Sequence, residues 1–216
     1  MKLHTALTSL AVLLFAATGQ AEEQAFRVID QASGQAVSNA VLVVESAATE
    51  PLETEVVQKD RAFHPHVLVI PTGSLVHFPN RDNTQHHVYS FSAAKTFDIE
   101  LYADQPEAPI TFDKAGIVEL GCNIHDHMQG FIVVTGNGIH GRTDESGTVT
   151  LDLPAAIRNA PVSLRAWHPR LADNTRMVDL TVEMVPDGVT PIRLELVPEE
   201  PANSSMDMLQ QRFEEL

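Results

Sequence analysis

The chain has 216 residues, a formal net charge of −15, 44% hydrophobic residues and a single cysteine. That length accommodates one large domain or two small ones, each with its own core. The acidity argues against nucleic-acid partners and anionic membrane surfaces, and one cysteine excludes an internal disulfide.

Residues 1–21, MKLHTALTSLAVLLFAATGQA, carry Lys2, an apolar run from Ala6 to Ala17 and the small residues Gly19 and Ala21 around Gln20. This is the pattern of a secretory signal peptide. The apolar run is too short for a membrane span, and no later stretch approaches ~20 apolar residues. No cysteine near the cleavage site permits a lipoprotein anchor. The expected mature chain starts near Glu22, carries a net charge of −16 after loss of Lys2, and is periplasmic. An exported lone thiol is open to oxidation. It is protected either as an inert core residue or as a metal ligand.

From there on, alternating apolar and β-branched runs dominate. Strands are expected at 26–30, 40–45, 66–70, 75–78, 86–91, 97–101, 110–113, 117–120 and 130–134, then at 147–153, 162–167, 177–184 and 192–197. Turn signals separate them: Ser33-Gly34, Pro71-Thr72-Gly73, Lys114-Ala115-Gly116, Glu145-Ser146-Gly147 and Pro186-Asp187-Gly188. Short strands at this spacing make an all-β sandwich or barrel. The last stretch, 199–216, reads as an acidic tail. Within it Met206, Leu209, Phe213 and Leu216 fall at helical spacing, which leaves a short docking helix as the alternative.

Seven of the ten histidines fall between residues 64 and 127: His64, His66, His77, His86, His87, His125 and His127. The segment LGCNIHDHMQGFIVV, 120–134, places a thiolate (Cys122), an imidazole (His125) and a thioether (Met128) in one loop between two strands. This soft donor set suits copper better than calcium, magnesium or manganese. Zinc prefers more cysteines, or a closed set of Cys and His without Met. A fourth donor must come from elsewhere, and the strand HHVYSF is the best source. Alternation lets only one of His86 and His87 face the loop. His86 is the expected ligand and His87 the alternative. Two His and one Cys in a plane with a distant Met above is the arrangement of an electron-transfer copper site. His127 is read as a solvated loop residue, and His64 and His66 as surface or rim residues.

The segment from Phe63-x-Pro65 through Gly73, VHFPNRDNTQHHV (76–88), GCNIHDHM (121–128) and FIVV (131–134) resembles a cupredoxin, most of all amicyanin and the plastocyanin-like proteins. The surrounding chain is similar to secreted proteins labelled methylamine-utilisation proteins, a label from which no chemistry follows. The resemblance covers about residues 60–135. It implies a Greek-key β-sandwich holding one type 1 copper through His86, Cys122, His125 and Met128, with an unidentified redox protein as partner. His87 stands where cupredoxins commonly have the Asn that braces the copper loop, a departure that bears on the rigidity of the site.

FRVIDQASGQAVSNAVLVVES, 26–46, is similar to the first strands of a carboxypeptidase-regulatory or transthyretin-like sandwich. The Thr-Asp-x-x-Gly turn that follows in that family comes only at Thr143–Gly147. The expected organisation is therefore a small sandwich from 22–50 and 136–198, with a copper domain, 58–135, inserted between its strands; the alternative is three consecutive pieces, with the N-terminal hairpin pairing onto the copper domain's sheet. The expected function is electron transfer, not catalysis. The sequence leaves open a copper carrier or storage protein, or a metal-free partner-binding sandwich.

Overall fold

The computed structural model describes residues 21–46, 49–106, 108–154, 157, 161–186 and 188–199. The expected signal peptide and acidic tail therefore lie almost wholly outside the described residues. Seventeen strands and no α-helix are found among those residues, so the all-β expectation holds. No helix there is long and apolar enough to cross a membrane. In chain order the strands are β1 (Ala21–Asp30), β2 (Val41–Val44), β3 (Glu53–Glu55), β4 (Val57–Lys59), β5 (Ala62–His64), β6 (Val67–Pro71) and β7 (Ser74–His77). They continue with β8 (His86–Ser92), β9 (Lys95–Tyr102), β10 (Ile110–Phe112), β11 (Gly116–Gly121) and β12 (Gln129–Thr135). The last are β13 (Ile139–Arg142), β14 (Thr148–Pro154), β15 (Val162–Trp167), β16 (Val178–Val182) and β17 (Val189–Leu194).

The strands sort into sheets by position in the chain. Strands before residue 45 and after residue 138 form two sheets, β14-β1-β17 and β13-β2-β15-β16. Strands between 53 and 135 form β6-β12-β11-β8-β9, β10-β7-β3 and the hairpin β4-β5. The stretch just before residue 58 pairs with the central strands, since Glu53–Glu55 runs parallel to Leu75–His77. The Thr-Asp-x-x-Gly turn ties the two distant ends together. The Thr143 hydroxyl donates to Val37 O (2.7 Å) and accepts from Ala40 N (2.9 Å), while an Asp144 carboxylate oxygen accepts from Ser146 N and Thr148 N.

β12 explains how the layers meet. Its sequence QGFIVVT is an almost unbroken apolar run, the signature of a strand covered on both faces. Phe131 and Val133 point into a core shared with Val41, Leu42, Leu164 and Trp167, and the Phe131 and Trp167 rings lie 5.2 Å apart. Ile132 and Val134 point the opposite way, into a second core with Ile70, Val76, Phe78 and Phe112. Cys122 and Met128 belong to this second core. Burial of these side chains contributes roughly 1.5–3 kcal/mol apiece and fixes the strand ends that bear the site.

Candidate metal centre

β8 and β11 are neighbours, with Gly121 opposite Tyr89. On β8, His86, Val88 and Ser90 are buried while His87 and Tyr89 face outward. The pairing with β9 shifts between His86 and Val88, and such an irregularity re-aims a side chain at the end of a ladder. His86 is completely buried at the tip of β8. Cys122 follows the last residue of β11 and is 5% exposed. The loop after it closes through Met128 N donating to His125 O at 2.9 Å and Gln129 N donating to His127 O at 3.1 Å. This turn returns His125 over Cys122.

The structure brings three of the four expected residues together. His86 Nδ1 lies 3.2 Å from His125 Nδ1, Cys122 Sγ lies 3.6 Å from His125 Nδ1, and Cys122 Sγ lies 3.9 Å from His86 Nδ1. A triangle with those sides has its circumcentre about 2.1 Å from every corner, within the ~2.0–2.3 Å span of metal bonds to His nitrogen and Cys sulfur. The donor atoms are thus spaced for one ion in their own plane. Met128, 2% exposed, is packed in the same core as Cys122. Among the described residues His86, Cys122 and His125 are the one group of three or more His, Cys, Asp or Glu with metal-ligand spacing.

The remaining histidines fall elsewhere. His87 turns outward and its Nε2 lies 2.6 Å from Asp98, while its buried Nδ1 has no hydrogen-bond partner. His127 is exposed. His64 accompanies the Lys59 carbonyl and His66 the Gln129 carbonyl, and His66 stands edge-on to Phe131.

Two features of the surroundings were missed in the sequence. The Tyr89 ring lies directly over Gly121, where a Cβ would come within 2.6 Å of its Cζ. Only glycine permits this approach beside Cys122. Behind His86, Asp82 Oδ2 lies 2.7 Å from His86 Nε2. Burial, the largest influence on Asp82, pushes its carboxyl up, but hydrogen bonds from Arg61 N, His86 and Asp60 N together outweigh it and hold it below the usual carboxylate value. The spacing Asp-x-x-x-His was the available signal, but residues 79–85 carry no strand or helix period from which a shared face could be read.

No family model matches the chain, and no curated protein matches it significantly. Among solved structures it is similar to the Cu-containing nitrite reductase from Thermus scotoductus SA-01, with 30% identity over 43% of this chain and 24% of that one (TM-score 0.37). It therefore spans well under two thirds of that enzyme. It is also similar to a purple cupredoxin from Nitrosopumilus maritimus, with 19% identity over 38% of this chain and 99% of that one (TM-score 0.34). A reduced amicyanin variant gives 20% identity over 45% of this chain and 99% of that one (TM-score 0.36).

Proposed function

We propose that the chain is an exported mononuclear copper protein that passes single electrons to a redox protein partner. The observation that carries this reading is the triangle of Nδ1, Nδ1 and Sγ around a point about 2.1 Å from each. In this reading His86, Cys122 and His125 would hold the metal, and Met128, buried in the same core as Cys122, would supply a weak thioether donor. Copper held there would supply a one-electron couple between Cu(I) and Cu(II). The chain's own part is to keep the three donors where neither oxidation state requires them to move. Cys122 is fixed by the end of β11, His86 by complete burial, and His125 by the turn that Met128 N closes. Export rests on residues 1–21 as a signal peptide. The sorting of the sheets supports a domain plan in which a cupredoxin-like unit, 58–135 extended to the β3 strand, is inserted into a small transthyretin-like sandwich.

The test is a redox titration of copper-loaded protein. One reversible electron per chain, with copper retained against a chelator in both oxidation states, is the expected result. Loss of copper to the chelator on reduction would instead identify a carrier that delivers metal.

A further inference from the structure

The hydrogen bonds behind His86 extend to a part of the chain that no donor atom touches. Asp82 accepts three donors on two oxygens. Oδ1 accepts Asp60 N at 2.7 Å, and Oδ2 accepts Arg61 N at 2.9 Å and lies 2.7 Å from His86 Nε2. Asp60 and Arg61 are the turn of the β4–β5 hairpin, and both have positive φ, 55° and 58°. Two-residue hairpin turns of this kind are normally built with Asn-Gly or Asp-Gly, because side chains pay a steric penalty there. Here a non-glycine pair holds the conformation, and both of its amides converge on one carboxylate. Strained backbone kept in place by its surroundings points to a role at that position. The loop that carries Asp82 is equally fixed. Asn80 Oδ1 accepts Asp82 N, and Asn80 Nδ2 donates to Thr84 O and Tyr102 O. Arg81 N donates to Gln58 O.

We propose that Asp82 is a positioning residue for His86. By accepting the Nε2 proton it fixes the tautomer whose bare Nδ1 faces Cys122 and His125, and the Asp60–Arg61 turn locks the carboxylate in the accepting orientation. Histidine ligands commonly pass their second N–H to such an acceptor, which sets ring orientation and donor strength. The three incoming donors require a carboxylate specifically. An amide has one acceptor oxygen, so in Asp82→Asn the NH2 group must face either Asp60 N or the pair Arg61 N and His86 Nε2. In the second case it donates to Nε2 and drives the proton onto Nδ1, the nitrogen that faces the donor triangle.

This inference rests on the copper reading for its affinity arm only. Long-range 1H–15N spectra of the metal-free full chain at pH 8 are the first measurement. The expected result is a His86 proton on Nε2 in the wild type, and a population shifted toward Nδ1–H in Asp82→Asn. Copper(I) affinity, by competition with a chelator, is expected to fall about 10–100-fold in Asp82→Asn, with the near-ultraviolet circular dichroism unchanged. A wild-type His86 protonated on Nδ1 overturns the proposal without any variant, so it stays testable if Asp82→Asn fails to fold. An Asp82→Asn protein with wild-type tautomer and affinity within about twofold, against the 10–100-fold expected, also overturns it. Wild-type protein that binds no copper would defeat the copper reading, while the tautomer result would still decide the role of Asp82.

Discussion

Cys122, His125 and Met128 were legible as candidate donors because they share one loop and their chemistry is unusual for a chain with a single cysteine. Alternation showed only that one of His86 and His87 would face inward; the resemblance favoured His86, and the structure buries His86. Asp82 was not legible, because its partners in the Asp60–Arg61 turn lie 21 and 22 residues earlier and meet it only after the hairpin folds. Two predictions belong at this scale. On the copper reading, Met128→Leu should keep copper bound and raise the reduction potential, because a weakly held thioether would mildly stabilise Cu(II). Protein-film voltammetry reads the shift, and an unchanged potential would remove Met128 from the ligand set. His127→Ala should leave the visible spectrum of the copper form unchanged, because this side chain is exposed. A shifted or bleached band would place His127 among the donors.

Strands with a regular apolar pattern were foreseeable; β3, β4, β5 and β13 were not. Their sequences, ETE, VQK, AFH and IHGR, are short and largely polar. They are strands because neighbours supply the ladder, as Ser74–His77 does for β3. Propensity alone does not mark such segments, since strand preference is mostly a matter of context. Packing around the two glycines that flank the loop gives a prediction for the elements. A Cβ at Gly130 would stand 2.9 Å from the Cβ of Phe63, a fully buried side chain that cannot retreat. A Cβ at Gly121 would meet the Tyr89 ring, which is partly exposed and can swing outward. Gly130→Ala should therefore destabilise by about 1–3 kcal/mol, the usual range for overpacking, and Gly121→Ala by less. Urea denaturation of the two variants gives the order, and the reverse order would contradict the packing described for Phe63.

The single tryptophan reports on the whole molecule. Trp167 is fully buried against Phe131, a residue of the central sheet, so the two cores share a wall. Unfolding followed by Trp167 fluorescence and by the visible band of the copper form should coincide, and two separate midpoints would show that the cores melt independently. Acid should weaken the fold through His168. Burial, reinforced by Arg170, pushes this imidazole down to about 4 from its ordinary 6.5. A neutral group of this kind contributes its full stability above the unfolded value. That stability is lost as pH falls from about 6.5 toward 4, by at most about 3 kcal/mol. Asp30 and Asp144 are held below 3.8, chiefly by hydrogen bonds from Ala32 N to the first and Ser146 to the second, so their contributions disappear only at lower pH. His168→Gln should flatten the stability profile between pH 6.5 and 4. An equally steep profile in the variant would assign the acid sensitivity to another group. The displaced Thr-Asp-x-x-Gly turn is joined to the first strands through the Thr143 hydroxyl, which bonds to Val37 and Ala40. The shared wall at Phe131 was not legible in the sequence, because a run of apolar residues shows that a strand is covered on both faces without showing by what.

The most direct test of the copper reading is a visible spectrum during titration of the purified full chain with Cu(II). An intense thiolate-to-copper band should grow to a single equivalent per chain and be absent in Cys122→Ala. A wild-type protein that stays colourless, or a Cys122→Ala protein that turns blue, would contradict it.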